Sequence, residues 1–148
     1  MKTDSLHILL ADDDEDDCMF FKDVLNELPF PVQLNTVSNG VELMNFLENN
    51  SVNLPNVLFL DLNMPLKAGL ECLAEIRENK KLNELPVIIY STSFNPEVMD
   101  LLYNKGAHYY IRKPADFANL RSVIKKAIAL SVKNNVLRPA KEKFVIQP

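Results

Sequence analysis

Five short apolar runs, each followed by a stretch of helical periodicity, constrain this chain more than any other feature. "HILLA" (7–11) reads as a buried strand. Residues 15–28 follow, with Met19, Phe20, Val24, Leu25 and Leu28 on one helical face, and Pro29 and Pro31 stop that helix. "VQLNTV" (32–37) alternates like a strand, Asn39-Gly40 reads as a turn, and Val41, Leu43, Met44, Phe46 and Leu47 predict a short helix. "NVLFLDL" (56–62) predicts a second fully apolar strand, and Gly69 precedes a helix with Leu70, Leu73 and Ile76 that ends near Lys80. Pro86 opens "VIIYS" (87–91), and Asn95 then caps a helix with Pro96 in its first turn and Gly106 at its end. "HYYIR" (108–112) is the fifth strand. A fifth helix over 116–130 follows, capped by Asp116, with Phe117, Leu120, Val123, Ile124, Ala127 and Ile128 inward. Strict alternation of this kind predicts an α/β, doubly wound (βα)5 domain, a parallel sheet buried by helices on both faces.

The 148 residues suit one core, and the 47% hydrophobic content is that of a globular chain. A net charge of −4 argues against nonspecific nucleic-acid binding, which needs excess Lys and Arg. No run of about 18 apolar residues occurs, so no membrane span is expected. "MKTDSLH" lacks the apolar stretch of a signal peptide, so a cytoplasmic location is expected. Cys18 and Cys72 form no CxxC pair and read as reduced, packed thiols. His7 and His108 lack metal-ligand spacing and read as structural or solvated.

Ligands of open parallel sheets bind outside the carboxyl ends of the strands. Asp12 and Asp13 follow the first strand, and Asp61 ends the third, ahead of Leu62, Asn63, Met64 and Pro65. Ser91 ends the fourth, with Thr92 and Ser93 after it, and Lys113-Pro114 ends the fifth. Three carboxylates, a hydroxyl and an ammonium therefore converge on one rim. Unpaired carboxylates repel, and a hard cation such as Mg²⁺ takes oxygen ligands of this sort. Asp12 and Asp13 thus read as metal ligands. Asp14, Glu15, Asp16 and Asp17 fall at a helix start, where negative charge meets the positive end of the dipole.

"ILLADDD", "LFLDLNMP", "PVIIYSTS" and "GAHYYIRKP", in order and spacing, resemble the receiver domains of bacterial two-component response regulators, over roughly residues 5–130. The resemblance implies a flavodoxin-like fold with strand order 2-1-3-4-5. It implies that Asp61 accepts a phosphoryl group from a sensor or hybrid histidine kinase, or a phosphotransfer protein, in a Mg²⁺-dependent reaction. Asp13 would bind Mg²⁺ directly and Asp12 mainly through water, with Asp61 and the backbone carbonyl of Asn63 completing the set. Lys113 and Ser91 would meet phosphoryl oxygens, and a cis peptide before Pro114 would aim the lysine. Ser91 would then move inward and Tyr110 swing into the space it leaves, with the readout on the fourth helix, fifth strand and fifth helix, about 95–130. Asn63, Thr92 and Ser93 would tune dephosphorylation. Tyr90 and Thr92 depart from the family pattern: an aliphatic residue is usual at the first position and a very small one at the second. Ala68 also departs, standing where an acidic or polar residue is usual.

A switch of this type implies no enzyme activity beyond self-phosphorylation and autodephosphorylation, and no DNA or membrane partner. It acts through contacts with a downstream protein. Two alternatives remain at this point. One is a phosphorylation-independent binding module. The other is a Mg²⁺-dependent phosphatase of the haloacid dehalogenase type, for which Asp12-x-Asp14 offers a motif but the chain offers no room for a cap. Residues 131–148 form a tail without an output domain. Its Val136, Leu137, Phe144, Val145 and Ile146 are expected to pack on the domain or across a homodimer that also uses the 95–130 face. The general appearance resembles small regulators paired with sensor or hybrid kinases, including phytochrome-type ones.

Overall fold

The computed structural model describes residues 5–93, 95–133 and 138–148. Five strands, β1 (Leu6–Ala11), β2 (Val32–Val37), β3 (Val57–Leu60), β4 (Val87–Ser91) and β5 (Tyr109–Arg112), form one parallel sheet in the order β2-β1-β3-β4-β5. The connecting helices are α1 (Glu15–Asn26), α2 (Gly40–Asn49), α3 (Gly69–Glu78) and α4 (Pro96–Asn104). Helix α5 (Phe117–Lys133) follows β5, and a short 3₁₀ turn spans Lys141–Lys143.

Side chains alternate across each strand, so the sheet divides the core in two. Ile8, Leu10, Phe59, Ile88, Tyr90 and Ile111 pack against Phe21 and Val24 of α1 and Val123 and Ile124 of α5. Leu9, Leu58, Leu60, Ile89 and Tyr110 pack against Leu43, Leu73, Ile76 and Leu102 of α2, α3 and α4. β3 and β4 are buried along their whole length, which is why they read as continuous apolar runs.

Several expectations from the sequence need correction. Met19 and Phe117 are 66% and 65% exposed, and Phe21 takes the inward place on α1. Phe117 still stacks on Phe20, with ring centroids 5.0 Å apart. Val41 is also exposed. Asn39 is the N-cap of α2, its Oδ1 accepting the Glu42 N–H at 2.8 Å, so Gly40 is helical rather than the second residue of a turn. β3 ends at Leu60 and leaves Asp61 just beyond the sheet. α5 runs past the expected end at 130. The Lys113–Pro114 bond is trans, as are all peptide bonds of the described residues. The lysine is aimed instead by its own ion pairs and by its N–H, which donates to the Ser91 carbonyl at 2.7 Å.

The tail lies on its own domain, although Val136 and Leu137 fall outside the described residues. Tyr110 N–H donates to Phe144 O at 3.0 Å, and Ile146 N–H donates to Tyr110 O at 2.9 Å, a parallel bridge that extends the sheet at the β5 edge. Phe144 and Ile146 are buried by it. Tyr103 Oη donates to Pro139 O at 2.9 Å, and Lys141 pairs with Asp100 at 3.0 Å. A covered edge is one that cannot pair with another chain. No helix among the described residues is long and apolar enough to cross a membrane.

Candidate functional site

The carboxyl ends of β1, β3, β4 and β5 meet at one rim, and the loops there carry the predicted residues. Asp12, Asp13 and Asp61 each offer a carboxylate oxygen within 4.8 Å of the others. Asp12 and Asp61 are buried and Asp13 is exposed, so the group opens to solvent on one side. A cleft of about 430 Å³, lined by Asp12, Asp13, Thr36 and Glu42 among others, gives that access.

Local structure fixes each acid. Asp12 Oδ1 accepts the Asp14 N–H at 3.0 Å, and Asp61 Oδ1 accepts the Asn63 N–H at 3.0 Å. Gly69 lets α3 begin against the Asp61 main chain: a Cβ there would lie 2.3 Å from the Asp61 carbonyl oxygen. Asp14 caps α1, its Oδ1 accepting the N–H groups of Asp16 and Asp17 at 2.9 and 3.1 Å. Asp14, the second acid of the Asp12-x-Asp14 motif, thus lies outside the group of three carboxylates.

Lys113 reaches into the same space. Its Nζ lies 2.7 Å from Asp12 Oδ2, 2.9 Å from Asp17 Oδ2 and 3.4 Å from Asp61 Oδ2. It also stands over the Tyr90 ring, 4.6 Å from the centroid. Burial alone would lower the lysine pKa, but the bonds to Asp12 and Asp17 and the charge of Asp61 raise it, so the ammonium stays charged. Burial pushes the Asp12 carboxyl up to about 6 despite the Lys113 bond. Three carboxylates thus face one ammonium, Asp13 stands beside two of them, and all the ligand atoms are hard oxygens. The set suits a divalent cation held by oxygen, with Asp12, Asp13 and Asp61 as its ligands.

Asp17 was missed in the sequence, where it read as a favourable charge at a helix start. It lies in the first turn of α1, and helical side chains tilt toward the helix N-terminus, here toward the rim. That tilt was the available signal.

Ser91 is fully buried, and its Oγ accepts the Ser93 N–H at 3.2 Å. Thr92 and Asn63 are exposed beside the site. Tyr110 is fully buried, and its hydroxyl donates to the Ser93 carbonyl. The tyrosine ring is therefore buried in this structure, with Ser91 beside it still in place. Phe144 of the tail covers it, with ring centroids 6.2 Å apart. Tyr109 points to the other face and is also buried, so neither tyrosine is displayed at the surface. Cys18, whose Sγ donates to Asp12 O at 3.6 Å, has its thiol pushed up to about 11 by burial and then by Asp12 and Asp17, which disfavours the thiolate. Both cysteines are free, as expected.

Comparison with known proteins agrees with this geometry. The family model "Response regulator receiver domain" matches residues 8–125. Response regulator Rcp1 of Synechocystis is 32% identical over 122 residues, which cover 79% of this chain and 82% of Rcp1. The structure of the phosphorylated cyanobacterial phytochrome response regulator RcpA superposes with a TM-score of 0.82 at 29% identity, covering 93% of this chain and all of that one. The Mn²⁺-bound form of Rcp1 superposes with a TM-score of 0.81 at 29% identity, covering 90% of this chain and 99% of that one. Strand order, acid cluster and family match point the same way, and the chain belongs to the response regulator receiver domain family.

Proposed function

We propose that this protein is a phosphoacceptor switch of two-component signalling, in which Asp61 takes a phosphoryl group from a sensor or hybrid histidine kinase or a phosphotransfer protein. The observation that carries the reading is the gathering of Asp12, Asp13 and Asp61 beside Lys113 at one rim of the sheet. An oxygen of the Asp61 carboxylate attacks phosphorus, and the bond from phosphorus to the donor imidazole nitrogen breaks. The imidazole keeps the electron pair, and an acyl phosphate remains on Asp61. Asp12, Asp13, Asp61 and the carbonyl of Asn63 would hold Mg²⁺, which supplies charge neutralisation at the phosphoryl oxygens when bound. Lys113 supplies a second positive charge, and the Ser91 hydroxyl a hydrogen bond. Asn63, Thr92 and Ser93 border the approach of water and tune loss of the phosphoryl group. Mn²⁺ bound to the related Rcp1 supports the metal assignment.

The output is a change in protein contacts on α4, β5 and α5, passed on by Ser91 and Tyr110. The tail lies on that face through Tyr103, Asp100 and Tyr110, so a downstream protein or a second copy of the chain would meet the tail as well. The proposed setting is the cytoplasm. The test is binding of beryllofluoride, a phosphoryl mimic, with Mg²⁺. Thermal stability of the wild type should rise with both together, and Asp61→Asn should remove the effect. No rise in the wild type, or an equal rise in the variant, would overturn the assignment.

A further inference from the structure

Lys113 has three N–H donors, and its shortest bonds lead away from Asp61. Asp12 and Asp17 lie at 2.7 and 2.9 Å, against 3.4 Å for Asp61. Asp12 has other commitments: it accepts the Asp14 N–H and belongs to the three-carboxylate group. Asp17 stands outside that group, and its side-chain bond goes to the lysine. A second contact also meets the ammonium, the face of the buried Tyr90 ring at 4.6 Å. Both features depart from a simple lysine-over-aspartate site.

We infer that Asp17 is a positioning residue, a resting counter-ion that holds the Lys113 ammonium between α1 and the Tyr90 ring and competes for it with the phosphoryl group on Asp61. The inference rests on Asp61 being the phosphoacceptor. An incoming phosphoryl group needs a donor from Lys113, and the bond to Asp17 must loosen to release one. The Asp17 charge also opposes the arriving anion. Removing that charge while keeping the side-chain size therefore acts twice in one direction. Asp17 is 30% exposed, so solvent screens part of the effect. A gain of about fivefold to tenfold in loading is expected from one screened charge.

The experiment compares wild type, Asp17→Asn and Asp17→Glu at saturating Mg²⁺. Intact mass is followed against acetyl phosphate concentration, and urea denaturation is measured on the same samples. Asp17→Asn should load about fivefold to tenfold faster at low acetyl phosphate. Asp17→Glu, which keeps the charge, should stay within about twofold of the wild type, and the gain should not track stability. Loading of Asp17→Asn equal to or slower than the wild type would overturn the inference and leave Asp61 as phosphoacceptor. Equal acceleration in Asp17→Glu would overturn it too, since shape rather than charge would be responsible. No loading of any form would overturn the phosphoacceptor assignment, and this inference with it.

Discussion

Replacing His108 with glutamine should flatten the acid side of the stability profile by an amount that follows from the surroundings of the ring. His108 is 7% exposed. Its Nδ1 accepts the Val87 N–H at 3.3 Å and faces Arg77 Nη2 at 3.4 Å, so Nε2 carries the proton of the neutral ring. A second proton would go on Nδ1, lose the Val87 bond and place a cation beside a guanidinium. Burial, then the charges of Arg77 and Arg138, push the pKa from 6.5 down to about 4. The unfolded chain takes up its proton below about 6.5 and the folded one below about 4, so the stabilisation is present above 6.5 and is lost as pH falls toward 4. At about pH 4.5 the loss reaches about 2.5 kcal/mol. Asp12 acts with the opposite sign, since its raised pKa makes the folded state bind more protons between 3.8 and about 6. That contribution is common to both proteins and cancels in their difference. The assay is urea denaturation of wild type and His108→Gln from about pH 7.5 to about pH 4.5 in EDTA. The wild-type advantage should shrink by about 2.5 kcal/mol over that range. A difference that stays flat within about 0.5 kcal/mol would refute the reasoning.

Three further substitutions test the packing around the site. Tyr90 is fully buried and its hydroxyl has no hydrogen-bond partner, so Tyr90→Phe should stabilise by about 1 kcal/mol and raise the Tm by about 2–4 °C in calorimetry. Gly69→Ala places a methyl 2.3 Å from the Asp61 carbonyl oxygen and 2.8 Å from Leu62 Cα, both main-chain atoms; it should destabilise by about 2 kcal/mol or more in urea and weaken metal binding in calorimetric titration. Phe144 is 3% exposed between Tyr103 and Tyr110, so Phe144→Ala should cost about 3 kcal/mol in urea and speed amide exchange at Tyr110, whose N–H donates to Phe144 O.

The architecture was legible because the strands are short apolar runs and α1, α2 and α4 each start at a capping Asp or Asn, whereas α3 starts at Ala68 without one. Asn95 with Pro96 and Gly106 marked α4, and the structure has Asn95 Oδ1 accepting from Glu97 and Val98 and Gly106 at a φ of 100°. Asp12, Asp13, Asp61 and Lys113 were legible because residues just past parallel strands must share a rim. Asp17 was not, because an acid in the first turn of a helix already has a sufficient local explanation. The inward faces of α1 and α5 were misread at Met19 and Phe117, where the apolar pattern continues onto residues that reach solvent. The setting of Tyr110 was also hidden. Alternation separates it from Tyr109, but the ring of Phe144 covers it from a tail whose docking no local pattern announces. Leu66, left-handed at a φ of 69° and exposed in the loop before α3, carries no turn signal at all.

The central claim, that Asp61 accepts a phosphoryl group, is tested most directly by intact mass after incubation with acetyl phosphate, with Mg²⁺ or with EDTA, for the wild type and Asp61→Asn. A gain of one phosphoryl group in the wild type, dependent on Mg²⁺ and absent from the variant, is the predicted result. An equal gain in Asp61→Asn, or no gain in the wild type with Mg²⁺ present, would contradict it.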